Sequence, residues 1–244
     1  MPNWVYNGLT IEGNPEYVTK LVEQMNTPFV DYIEANGDLA FGVKEIKYSN
    51  PVFSFRNIIA PTDLEAYKKQ PVRADVDVNA SDWWAKTQEV SAVDNSWYNW
   101  NIRNWGVKWD VAVSNDDESP ETYMEGPTPN GDNLVVYYSF NTAWGIAEPA
   151  LAELSSQYPY LLFTLGYEEE TGWGGELEIL RGKLISHSQY ESKCVECDKY
   201  DTLAFCEDCE NNVCSFCGYG REDECQSHMI ESELPPKVQV TENA

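Results

Sequence analysis

Every cysteine of the chain lies in one stretch, CVECDKYDTLAFCEDCENNVCSFCGYGREDECQSH, which runs from Cys194 to His228. The spacing is C-x2-C-x8-C-x2-C-x4-C-x2-C-x7-C-x2-H. That makes four ligand pairs, each with two intervening residues, and such a knuckle lets two side chains point at one ion. Eight ligands close two tetrahedral zinc sites with no open position, so the chemistry expected is structural and not catalytic. The alternation suggests cross-bracing: Cys194, Cys197, Cys214 and Cys217 would hold one ion, and Cys206, Cys209, Cys225 and His228 the other. Sequential pairing remains open, because spacing does not exclude it. Disulfides would leave one of the seven cysteines over and the final histidine idle. A thioredoxin-like CxxC needs a βαβ setting, which this acidic, loop-rich stretch lacks. The expectation is two structural Zn2+ ions in a module over residues 191–230, with metal binding supplying its folding energy.

Outside that cluster the tools of catalysis are sparse. The chain has two histidines, His187 and His228, and the second is assigned to zinc. No GxSxG, HExxH, P-loop or strand-borne GxGxxG occurs. The glycine-rich GWGG around Trp173 reads as a hairpin turn. No enzyme and no small-molecule substrate are expected. The other distinctive stretch is SWYNWNIRNWGVKWDVAV, from Ser96. Its tryptophans, Trp97, Trp100, Trp105 and Trp109, admit two readings. They anchor the core, with Asn104 and Asp110 satisfying backbone groups at a turn, or they form an aromatic patch for a protein partner.

WVYNGLTIEG is a strand, followed by Asn14 as helix N-cap and Pro15 at the first helical position. Val18, Leu21, Val22 and Met25 then mark an amphipathic helix. FVDYIEANGDLAFGV is a hairpin turning at Asn36-Gly37. Short helices are expected over 62–69 and 82–88. A further helix carries Trp97, Trp100 and Asn101 on one side and stops at Gly106. Asp110 to Val113 begins a strand, and DDESPETYMEGPTPNGDN is a long polar loop. LVVYYSF is a strand, Glu148-Pro149 opens a helix with Ala150, Leu151 and Leu154 inward, YLLFTLGY is a strand, and GELEILRGKLISH gives one or two more. The predicted class is α+β: a ferredoxin-like antiparallel sheet with helices on one face. It occupies residues 1–190, with an insertion at about 44–132, and residues 231–244 form a flexible tail.

Composition narrows the function. There are 16 Lys+Arg against 41 Asp+Glu, a formal charge of −25. Duplex DNA and anionic membranes repel such a chain unless a basic patch exists, and the fullest cluster, KEIK at Lys44 to Lys47, has an acid inside it. No sequence-specific DNA binding is expected. A basic protein partner, or imitation of DNA, fits the charge better. No targeting segment or membrane span is evident, since a span needs about 20 apolar residues. Aromatics reach 13%, enough for both core packing and recognition.

The stretches MPNWVYNGLTIEG, NWGVKWDVAV, VVYYSFNTAWGIAEPALAELSSQYP and LLFTLGYEEETGWGGELE resemble the YubB-like ferredoxin-like family of phage and plasmid proteins. One departure is GIAEP after Trp144, where a more proline-rich turn is usual, and the zinc segment is not general to the family. The start of the chain, its size, its acidity and NWGVKWD also resemble the recombination directionality factors of Streptomyces phages that use large serine integrases. This resemblance implies a non-enzymatic protein in the cytoplasm of the bacterial host. It would bind a serine integrase on attachment-site DNA and switch it from integration to attL × attR excision. The rival expectation is an acidic DNA mimic or anti-defence protein that occupies a host DNA-binding protein.

Overall fold

The computed structural model describes residues 3–34, 43–71, 81–112, 122–191, 203–206 and 211–214. The elements are β1 (Trp4–Gly13), α1 (Pro15–Met25), β2 (Phe29–Glu34), β3 (Val43–Tyr48), α2 (Leu64–Tyr67), α3 (Trp83–Val93), α4 (Trp97–Trp105), β4 (Tyr123–Asn130), β5 (Asn133–Ala143), α5 (Glu148–Gln157), β6 (Leu162–Glu169), β7 (Trp173–Leu180), β8 (Lys183–Glu191), β9 (Leu203–Cys206) and β10 (Asn211–Cys214).

The main sheet has six strands in the order β4-β5-β1-β6-β7-β8, and every pairing is antiparallel. Its first four strands, with α1 and α5 in the connections, run β1-α1-β4-β5-α5-β6. That is the split βαβ arrangement of a ferredoxin-like fold. The β7-β8 hairpin widens it, turning at Arg181 (φ 56) and Gly182 (φ 71), the two positive φ values of a type I′ turn. The long insertion falls between α1 and β4 and carries the β2-β3 hairpin and α2 to α4. Strand β4, which the sequence reading placed inside the polar loop and the insertion, returns to the sheet as its edge.

Alternation builds the two faces. Val5, Leu9 and Ile11 of β1, Val136, Tyr138 and Phe140 of β5, and Phe163 and Leu165 of β6 are buried. Against them pack Val18, Leu21 and Met25 of α1, and Ala150, Leu151 and Leu154 of α5. Each fully buried side chain of this size stabilises the fold by roughly 1.5–3 kcal/mol. The opposite face, with Tyr6, Gly8 and Thr10, is open. Asn14 caps α1 as expected, its Oδ1 accepting from the Glu16 N–H at 2.9 Å.

One core element was not foreseen. The irregular segment after β3 pushes Phe53 and Phe55 under the sheet, where Phe53 stacks on Phe140 at 5.1 Å and Phe55 meets it edge-on at 5.8 Å. Residues 110–112, expected to start a strand, form none; the Asp110 carboxylate is used to hold loops together instead. The Asn36-Gly37 turn, Val113, the first third of the polar loop (116–121) and the tail at 231–244 lie outside the described residues. Among the described residues no helix is long and apolar enough to cross a membrane.

Candidate functional site

Four pieces of chain meet where β1 begins and β5 ends: Trp4, the first turn of α4, the Lys108-Trp109 step after it, and Trp144. Helix α4 stops at Gly106, which takes φ 86. A Cβ there would lie 2.7 Å from Pro149 Cδ and 3.2 Å from the Ile146 carbonyl oxygen. Glycine thus lets the chain turn tightly against the start of α5. The exit is then pinned twice. Asn101, buried on α4, accepts from the Tyr67 hydroxyl at 2.9 Å and donates to the Lys108 carbonyl at 2.8 Å. The Asp110 carboxylate accepts from Ser54 Oγ (2.6 Å) and from the backbone N–H groups of Phe55 (2.8 Å), Arg56 (3.2 Å) and Val111 (2.7 Å).

Between these pins Lys108 and Trp109 face an aromatic cluster. The Lys108 ammonium sits 4.3 Å from the Trp109 ring centroid. It is 5.6 Å from those of Trp97 and Trp144, and 5.9 Å from that of Tyr98. Cation–π attraction acts at this range. Trp109 stacks on Trp144 at 5.6 Å and lies 6.2 Å from Trp4. Trp144 is 52% exposed and takes φ 64. A left-handed backbone at a bulky residue costs roughly 1–3 kcal/mol. Its N–H is held by the Asn3 carbonyl at 2.9 Å.

The four tryptophans singled out in the sequence separate here. Trp105 is fully buried, its indole N–H donating to the Ile59 carbonyl at 3.0 Å. Trp97 is 5% exposed and Trp100 half-buried against the core. Trp105 thus packs in the core, while Trp97 is buried beside the Lys108 ammonium. Trp109 is half-buried, as is Trp4, and the two meet the exposed Trp144 and Tyr98 around Lys108. Sequence reading missed Trp144 although SFNTAW had been noted, because nothing local marks a tryptophan for φ > 0.

The open face of the sheet is a second feature. Three ladder rows cross it: Asn141-Tyr6-Glu168-Gly174-Tyr190, Tyr123-Ser139-Gly8-Gly166-Glu176-Ser188, and Glu125-Tyr137-Thr10-Thr164-Glu178-Ser186. They contain four carboxylates and no Lys or Arg. Burial raises the pKa of Tyr137, with Tyr123 adding to the effect. Burial also raises that of Tyr190, helped by Glu168 and Tyr167. Both phenols are neutral near pH 7. On the covered side of the same strands, Tyr167 Oη lies 2.8 Å from His187 Nε2.

Of the eight expected zinc ligands, Cys194, Cys197, Cys209, Cys217, Cys225 and His228 lie outside the described residues. Cys206 ends β9 opposite Asn211, and Cys214 ends β10 opposite Leu203. They stand three register positions apart, about 10 Å along the strand direction. In the cross-braced and the sequential pairing alike they belong to different ions. Among the described residues no group of three or more metal-binding side chains gathers.

Residues 108–219 match the family model of the ferredoxin-like domain in Api92-like protein. The match starts at Lys108, runs through β4 to β8 and continues into the cysteine segment. The ferredoxin-like expectation is therefore met in the half of the chain that carries most of the sheet. The solved structure of protein api92 from Yersinia pseudotuberculosis aligns over 79% of this chain and 99% of its own, at 10% identity and a TM-score of 0.40. No curated protein matches the chain.

Proposed function

We propose that the protein is a non-enzymatic recombination directionality factor. It binds a large serine integrase on attachment-site DNA and switches it from integration to attL × attR excision, in the cytoplasm of the bacterial host. The observation that carries this reading is Trp144: a large ring held outward at φ 64, stacked on Trp109 beside Lys108. Strained backbone persists where the surroundings enforce it, and it gathers at functional positions. Exposed tryptophan is the side chain that most often anchors a protein interface. The charge of −25 supports the same partner class, because an acidic protein finds a basic, DNA-binding one quickly through long-range attraction. It also keeps the protein off the DNA itself.

Such an effector needs no chemistry of its own. It shifts an equilibrium by the difference in its affinity for two states of the integrase. A hundredfold reversal of preference requires about 2.7 kcal/mol, within reach of a few tryptophan contacts made in one state only. Two structural Zn2+ ions, held by the residues from Cys194 to His228, would make the 191–230 module rigid, either as a second contact surface or as support for the fold alone.

The test is recombination in vitro with purified integrase, with and without the protein. With it, attL × attR substrates recombine and attP × attB recombination falls. Trp144→Gly, which removes the ring and relieves the strained φ, lowers excision at least about tenfold while leaving the melting temperature unchanged or higher. An unchanged direction contradicts the reading. Equal inhibition of both reactions would instead favour an acidic mimic that strips proteins from DNA.

A further inference from the structure

The open face of the sheet holds a groove of ≈ 420 Å³ framed by Tyr6, Tyr137 and Tyr190. Its floor is glycine. Gly8 and Gly166 are paired across β1 and β6. A Cβ on Gly8 would meet the Tyr137 hydroxyl at 2.7 Å, so that ring lies down over the glycine. Tyr190 covers Gly174 in the same way, its hydroxyl 2.6 Å from where a Cβ would be. Gly166 between them is uncovered: a Cβ there would approach nothing closer than the Gly8 carbonyl oxygen at 4.0 Å. Glycine inside a strand weakens it, and it often marks a place where another group approaches closely. The aromatic walls add π faces to that opening, and Tyr6 is 51% exposed.

The charge on this face selects the occupant. Glu168 lines the groove, three more carboxylates share its face, and the three surrounding ladder rows contain no Lys or Arg. We propose that the groove is a docking site for an arginine-bearing segment of a protein partner. A guanidinium is flat, stacks on tyrosine, and donates paired N–H bonds to a carboxylate. A lysine ammonium stacks less well and stays more strongly hydrated. Nucleic acid is disfavoured, since base-stacking platforms combine aromatics with cations. The groove differs from the Trp144 cluster in residues and in chemistry, and the proposal stands whether or not the partner is an integrase.

The experiment is calorimetric titration of the full chain, at physiological salt, with a capped Gly-Arg-Gly-Arg-Gly peptide. Its citrulline and lysine counterparts serve as controls. The arginine peptide should bind saturably, one per chain, with the lysine peptide weaker and the citrulline peptide silent. Gly166→Val fills the floor at a position with room for a side chain, and should weaken binding about tenfold or more without lowering the melting temperature. Glu168→Gln alters an exposed side chain and should weaken it without touching the floor. No binding would overturn the proposal, as would equal binding of the lysine or citrulline peptide. Unchanged affinity in both variants would place the cation elsewhere on an acidic surface and overturn it equally.

Discussion

Gly106 shows how much one residue can hold in place. Its N–H closes α4 onto the Asn101 and Ile102 carbonyls, and its φ of 86 sends the chain outward as Lys108 and Trp109. A methyl group there meets both a forbidden backbone and Pro149 at 2.7 Å. Gly106→Ala should therefore cost about 1–3 kcal/mol, read as a lower denaturant midpoint at unchanged slope. At Gly131 a Cβ meets nothing within 4 Å, so the same substitution there should cost less, through its φ of 61 alone. Gly106 and Asn14 were legible in the sequence because their roles are local: each residue type suits its backbone or capping geometry. The inward or outward choice among the tryptophans was not legible. Trp105 and Trp109 are four residues apart, yet a glycine turn lies between them, so helical periodicity does not carry from one to the other.

At the scale of elements, hydrophobic period and caps located β1, α1, β5, α5 and β6 because each has one buried stripe and ordinary end signals. Two elements escaped. Strand β4 reads as loop because YMEGPTPN has two prolines and a glycine. An edge strand accepts proline, whose missing N–H faces solvent, and β5 supplies the pairing. The segment from Pro51 to Ile59 escaped because its two inward phenylalanines, Phe53 and Phe55, follow no helix and join no strand of the sheet. Their burial depends on Asp110, 55 residues from Phe55, accepting its N–H. Removing that carboxylate strands several backbone donors. Asp110→Ala should lower stability by about 2 kcal/mol or more and loosen Lys108–Trp109 at the same time. Chemical denaturation checks the first effect, and Trp fluorescence of the native state the second. An unaltered emission spectrum would mean that the cluster is positioned by Asn101 alone.

For the whole molecule, the split βαβ sheet presents a tryptophan cluster at the start of β1 and a tyrosine-lined groove on its open face. The chain as a whole carries a formal charge of −25. That charge makes association with a basic partner salt-sensitive, because exposed charges are screened within about 8–10 Å at ordinary ionic strength. The cysteine spacing predicts two Zn2+ per chain. Metal analysis of the purified protein should find two, and chelation should remove the structure of 191–230 while the ferredoxin-like part melts as before. A content of none or one would break the eight-ligand assignment. The proposed selective grip on one state of an integrase is read from the affinity of this protein for integrase held on attL and attR, set against its affinity for integrase held on attP and attB. Binding to the first pair should be at least about a hundredfold tighter, or about 2.7 kcal/mol. Equal affinity for the two would contradict it, since a ligand that binds both states alike shifts neither.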